Sequence, residues 1–267
     1  MSEWLQAIVL ALVQGITEFL PISSSAHLVL PALLFGWEDQ GLAFDVAVHV
    51  GTLLAVVLYY RRELLQMTVS CFGLLRGQPV NDDVRLVGYL ALATVPVCVV
   101  GFLADAFIES RLRTLPVIAT TTLVFGLLLG LADWRARRSA GGRPLVAVVA
   151  LVIGLAQALA PVPGVSRSGI TITAGLLLGL DRATAARFAF LLSIPVIAGA
   201  GLLKGLQLAQ QSAPVDWLLL AVSALVAAVT AYACISLFLR LLERLGLMPF
   251  VYYRIALAGL LYALWLV

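Results

Sequence analysis

Ten residues near the start of the chain, EFLPISSSAH from Glu18 to His27, gather a carboxylate, a proline break, three hydroxyls and an imidazole within sequence otherwise suited to lipid. Such side chains are costly in hydrocarbon, so inside a membrane segment they mark a site by default. Ser24 and His27 stand three apart, a spacing that lets a nucleophile and a proton carrier face one cavity. Gln14 and Glu18, four apart, share a helix face, where Glu18 can hold a divalent metal, orient His27 or accept a proton. A second polar break, PGVSRSG from Pro163 to Gly169, carries Arg167, an always-charged planar fork matched to phosphate. Ser23, Ser25, Ser166, Ser168 and Gly169 complete the candidate ligand-binding set. In each break a helix begins directly after serines, so free N–H groups and the positive helix end join the hydroxyls as an anion site.

Each candidate also has a plainer reading. Arg167 and Glu18 can be a structural ion pair, one of the three serines a helix cap, and His27 a partner of a neighbouring carbonyl. Asp45 and His49, one turn apart in FDVAVHVG, either complete the polar wall, with Asp45 a second metal candidate, or place Asp45 as an outer N-cap. Asp181 reads as an N-cap, and Arg254 as shallow enough to snorkel or pair. Cys71, Cys98 and Cys234 have neither disulfide-framework nor metal spacing and read as inert packing residues.

What must position these residues is set by composition. With 62% hydrophobic and 12% charged residues, the chain cannot cover a water-soluble domain, and it reads as an all-α polytopic membrane protein. Its apolar runs of about 17 to 23 residues match ~30 Å of hydrocarbon crossed as helix. Barrel strands would be shorter and alternating. The first run, Trp4 to Leu20, follows Glu3 rather than a basic region and is expected to stay in the mature protein. The net charge of +3 comes from arginines clustered between apolar runs, a sign of topology rather than of nucleic-acid binding.

The stretch Gln14 to Gly36 aligns with Gln157 to Gly179 at a constant offset of 143, with Ser23/Ser166 and Ser25/Ser168 among six identical pairs. One integral domain of two repeats, about 1–133 and about 145–267, follows from it. Each repeat reads as a re-entrant helix hairpin and three transmembrane helices. The spans lie near Asp45 to Tyr60, Leu86 to Ala104 and Pro116 to Ala132, then Arg187 to Leu203, Trp217 to Leu239 and Phe250 to Val267. An odd number of crossings inverts the second repeat and brings the two tips together near midplane. On that topology twelve arginines, among them Arg61, Arg135 and Arg187, fall on one side, and only Arg111, Arg113 and Lys204 on the other. The positive-inside rule then puts the N-terminus, Gln40 and Lys204 outside, with Gln78 and Gly141 in the cytoplasm.

QGITEFLPISSSAHL, FDVAVHVGTLLAVV, PGVSRSGITI and ARFAFLLSIP together resemble the undecaprenyl-diphosphate phosphatase (bacitracin-resistance) family over nearly the whole chain. The resemblance implies two interdigitated inverted repeats, a bacterial inner-membrane location and a site open to the periplasm. It implies removal of the terminal phosphate of a polyprenyl diphosphate lipid, undecaprenyl diphosphate, with a divalent cation, magnesium or calcium. By motif, Ser24 matches the nucleophile, His27 the motif histidine and Arg167 the phosphate-binding arginine. Gln14 and Glu18 match the paired acidic or amide positions, and Ser166, Ser168 and Thr171 the polar neighbours. Gln14 stands where many members have Glu, against any metal scheme needing two carboxylates there. Ala26 replaces a common Gly. The expected partners are the lipid substrate and the bilayer, without nucleic acid, and a homodimer stays open. Because broken helices meeting at midplane are also transporter architecture, a polyprenyl-phosphate flippase is the alternative.

Overall fold

The computed structural model describes residues 3–38, 40–138, 142–210 and 216–266, and only the backbone of Glu109, so Gly141 lies outside the described residues. The described chain is helical without strands, and six helices are long and apolar enough to cross a membrane. This is a multi-pass membrane protein. The six are α3 (Gly41–Tyr59), α5 (Asp82–Phe107), α6 (Leu115–Ala136), α9 (Arg182–Ala209), α10 (Trp217–Leu245) and α11 (Met248–Leu266). An amphipathic helix that the sequence reading left as connection, α4 (Arg61–Leu75), buries Met67 while Leu65 and Val69 stay exposed.

Four short helices form two hairpins: α1 (Glu3–Thr17) with α2 (Ser24–Phe35), and α7 (Ala147–Gln157) with α8 (Arg167–Leu177). At 1.5 Å per residue none reaches beyond about 22 Å, too little to span the bilayer. Each hairpin returns to the end where it began. Trp37, just past α2, packs against the apolar cluster that includes Ala7 and Leu10 of α1, while the Arg143 N–H ahead of α7 donates to the Gly179 carbonyl beyond α8 at 2.8 Å. The second hairpin starts beside the beginning of α9, which an Arg187–Glu63 ion pair ties to the first turn of α4, the turn that follows the far end of α3 in the chain. The first starts beside the beginning of α3. The hairpins therefore enter from opposite ends of the bundle.

Each hairpin leans on a long helix of the other half of the chain, α1 on α10 and α7 on α5. Glycine permits both approaches: a Cβ on Gly15 would stand 2.8 Å from the Ala227 carbonyl oxygen, and one on Gly154 2.6 Å from that of Ala93. Among described non-glycine residues only Ser23 (φ 74°) and Ser166 (φ 70°) have positive φ, and each turns the chain at its break just before a helix. The breaks are held by Arg254. The sequence reading let it snorkel; the structure buries it completely, donating to the carbonyls of Pro21 (3.3 Å), Thr122 (3.0 Å), Val165 (3.1 Å) and Gly164 (2.8 Å). Irregular backbone in a membrane needs such partners.

Candidate active site

Glu18 sits where the two tips meet. Its Oε1 accepts from Arg167 Nη2 at 2.8 Å, and its Oε2 accepts from Gln14 Nε2 at 2.9 Å and from Ser24 Oγ at 3.1 Å. The acid and the arginine are both nearly buried, so the expected ion pair exists. It does not satisfy the guanidinium, because Arg167 Nη1 is buried without a partner, and so is Gln14 Oε1. A buried unpaired donor and a buried unpaired acceptor flanking one carboxylate leave room in the hydrogen-bond inventory for an anion and a cation.

The second tip closes on the first. The Gly164 N–H donates to Ser25 Oγ at 3.2 Å, and Ser168 Oγ donates to the Leu20 carbonyl at 2.9 Å. A cavity of about 600 Å³ opens beside them, lined at its polar end by Glu18, Ser23, Ser24, Ser25, His49, Ser166 and Arg167. The two helix starts differ there. Ser166 Oγ caps α8 by accepting the Gly169 N–H at 3.2 Å, whereas Ser23 gives α2 no side-chain cap. The uncapped start of α2, at Ser24, is the more open to an incoming anion.

Several expected ligand positions have their side chains engaged away from the chamber. His27 does not share the cavity with Ser24: its Nδ1–H donates to the Ser23 carbonyl at 2.7 Å, and its Nε2 accepts from the Tyr253 hydroxyl at 2.6 Å. Both ring nitrogens are engaged, and the ring stacks on Tyr253. Ser168 is spent on the Leu20 carbonyl. Thr171 donates back to the Arg167 carbonyl at 2.8 Å, as short hydroxyl side chains do within helices. Gly169 is a packing residue, since a Cβ there would stand 3.0 Å from Arg254 Nη1. These three lie in the tip without facing the chamber.

The imidazole that does face it is His49. Its Nδ1–H donates to the Asp45 carbonyl at 2.7 Å, which leaves Nε2 to accept from Gln14 Nε2 at 3.2 Å, 3.9 Å from Glu18 Oε2. Asp45 lies within α3 rather than at its cap, and lines an adjoining outer cavity with Arg113. It does not join Glu18 in a metal-ligand set: among the described residues no three His, Cys, Asp or Glu side chains come together. Cys98 is no packing residue either, being exposed and lining the 600 Å³ cavity. Tyr253 and the buried role of Arg254 are not legible in the sequence, where the run VYYRI from Val251 to Ile255 offers only composition as a signal.

The family model for the bacitracin resistance protein BacA matches residues 7–260. The chain belongs to this family. Similar members are named undecaprenyl-diphosphatase: that of Alcanivorax borkumensis is 58% identical over 99% of both chains. That of Hahella chejuensis is 55% identical over 97% of each, and that of Teredinibacter turnerae 53% identical over 97% of this chain and 98% of its own. The BacA match reaches into both hairpins and all six long helices, and no part of the site lies outside it.

Proposed function

We propose that this BacA-family chain is an undecaprenyl-diphosphate phosphatase, releasing the terminal phosphate and returning the monophosphate carrier lipid to bacterial cell-wall synthesis. The observation that carries the reading is the Ser24–Glu18–Arg167 constellation within a chain more than half identical to relatives of that name. The diphosphate enters between the tips, its terminal phosphate against Arg167 Nη1 and the open start of α2. Ser24 Oγ attacks the terminal phosphorus while its proton passes to Glu18. The bond from phosphorus to the bridging oxygen breaks, and the lipid leaves as its monophosphate, taking the proton from Glu18 onto the departing oxygen. Water then attacks the phosphate on Ser24, giving a proton to Glu18, which returns it to the Ser24 oxygen as the bond from that oxygen to phosphorus breaks. Arg167 holds the charge that shifts during transfer.

A divalent cation, magnesium or calcium, fits the oxygen donors present: Glu18 and the buried, unpartnered Gln14 Oε1 would hold it, with phosphate oxygens and water completing its shell. When bound it neutralises charge on the diphosphate. In this reading the membrane is the bacterial inner membrane, with the Asp45 and Lys204 end facing the periplasm and the arginine-rich end the cytoplasm.

Phosphate release from undecaprenyl diphosphate by pure protein in detergent, with divalent cation supplied, tests the reaction. Release by the parent and none by Ser24→Ala, which still binds the lipid, is the expected result. No release by well-folded parent would shift the assignment to a polyprenyl-phosphate flippase, because no bilayer is there to be crossed.

A further inference from the structure

Beyond its polar end, the 600 Å³ cavity continues between α5 and α9, where its walls turn apolar. We propose that the isoprenoid tail of the substrate leaves the chamber sideways through this gap, and that Gly101 and Gly199 set its passage. The inference rests on the phosphatase reading for the identity of the occupant and on three structural observations for its path.

The first is continuity. Ser24 and Arg167 line the same cavity as Val97, Phe102, Ile197 and Leu203, so a headgroup at the tips has its tail directed into the gap. Phe102, on the gap's rim, is 77% exposed, so the gap opens toward lipid rather than ending in protein.

The second is the kind of glycine found there. Gly15, Gly51 and Gly154 are explained by backbone packed against them. Gly101 and Gly199 are not: a Cβ on either would meet nothing within 4 Å, as at Gly88, Gly201, Gly205 and Gly259, but of these six only Gly101 and Gly199 line the cavity. A glycine in a helix interior costs about 1 kcal/mol relative to alanine, and here no protein neighbour requires it. Space kept clear on both facing walls is space for a chain that passes.

The third is the walls themselves. Each carries an internal proline just before the lining residues, Pro96 ahead of Val97 and Pro195 ahead of Val196. Proline removes the bond to the carbonyl four residues back, so both helices are loosened at the same level. At the outer end an ion pair between Lys204 Nζ and Asp105 Oδ2, 3.3 Å apart, joins the two walls and bounds the gap on the side of the aqueous mouth.

The test fills the gap from its walls. Gly101→Leu and Gly199→Leu favour the helix and create no backbone clash, so each should keep the parent's thermal midpoint. Phosphate release is measured on undecaprenyl diphosphate and on a five-carbon prenyl diphosphate, which lacks a tail long enough to reach the gap. Each variant should lose about tenfold or more in kcat/KM on the long lipid and stay within about twofold of parent on the short one. Equal losses on both substrates, or none on the long one, would overturn the proposal. A readout free of catalysis uses Cys98 in a Cys71→Ser, Cys234→Ser background. Undecaprenyl phosphate should protect it from maleimide while inorganic phosphate does not. Absence of that protection would remove the tail from the gap. A parent that hydrolyses neither substrate yet shows protection would overturn the phosphatase reading and leave the gap standing.

Discussion

At the scale of single residues, the site is organised by which polar atoms lack partners as much as by which have them. Arg167 donates through one nitrogen to Glu18 and keeps the other buried and unspent. Lysine would keep the charge but lose this division, so Arg167→Lys should slow phosphate release on the order of 10² to 10³, as measured in detergent under saturating cation. Near-normal release by a stable variant would leave the arginine as an ion-pair partner only. The two histidines separate in the same way. His49 touches the Gln14 and Glu18 network, while His27 is enclosed by Ser23 and Tyr253. Replacing His49 with alanine should therefore act on turnover, whereas Tyr253→Phe, which removes the donor to His27, should cost about 1 kcal/mol of stability with turnover little changed. The reverse pattern, read from thermal midpoints and initial rates, would restore His27 as the proton carrier. Sequence spacing named Ser24, Glu18 and Arg167 because hydroxyl, carboxylate and guanidinium in breaks have few other uses in a membrane. It could not show the engagement of His27, because a spacing of three fixes a helix face but not which of two neighbours fills it, and Tyr253 comes from the last helix.

At the scale of elements, caps and glycines decide how the hairpins and spans sit. Asp181 caps α9, with Oδ1 accepting the Thr184 N–H at 2.8 Å and Oδ2 the Thr184 hydroxyl at 2.7 Å. Partial burial alone would raise its pKa, but these hydrogen bonds outweigh it and hold the carboxyl below its usual 3.8. A lowered pKa contributes stability that is present above the unfolded value and lost as pH falls through the folded one. Asp181→Asn keeps an acceptor for the cap without the charge. Its thermal midpoint should therefore be less sensitive to acid below about pH 4 than the parent's, and identical acid sensitivity would remove Asp181 from the account. Gly15 and Gly154 make the opposite kind of demand, since a side chain there meets backbone that cannot yield. Gly154→Val should destabilise by about 2 kcal/mol or more, visible as early unfolding in detergent, while Gly199→Ala, facing open space, should not. The spans and breaks were legible in hydropathy and in proline and serine placement. The amphipathic α4 was not, because its apolar stripe is diluted by Arg61, Arg62 and Glu63 in its first turn.

At the scale of the whole molecule, the opposed hairpins make one site from two distant stretches of sequence. The bundle ends differ in charge, and topology follows if the arginine-rich end is cytoplasmic. Single cysteines at Gln40 and Gln78, in a background without other cysteines, should label from opposite faces with an impermeant thiol reagent. Labelling from one face would contradict the orientation proposed here. The proposed repeat reads as an offset of 143 residues, and the two described non-glycine residues with positive φ, Ser23 and Ser166, stand at that offset. What the repeat could not disclose is Arg254, whose partners are carbonyls, and backbone carbonyls leave no mark in a sequence.

Arg254 also sets an order of events. It lies in α11, which follows every other described helix in the chain, yet it supplies the donors for backbone turns at Pro21, Gly164 and Val165 in both hairpins. A nascent chain can insert its earlier spans, but the carbonyls at the two tips have this partner only once α11 has been inserted beside α6. Turnover is therefore expected to wait for α11. A chain truncated before Met248 should reach the membrane and release no phosphate, and supplying α11 as a separate peptide should restore part of the activity.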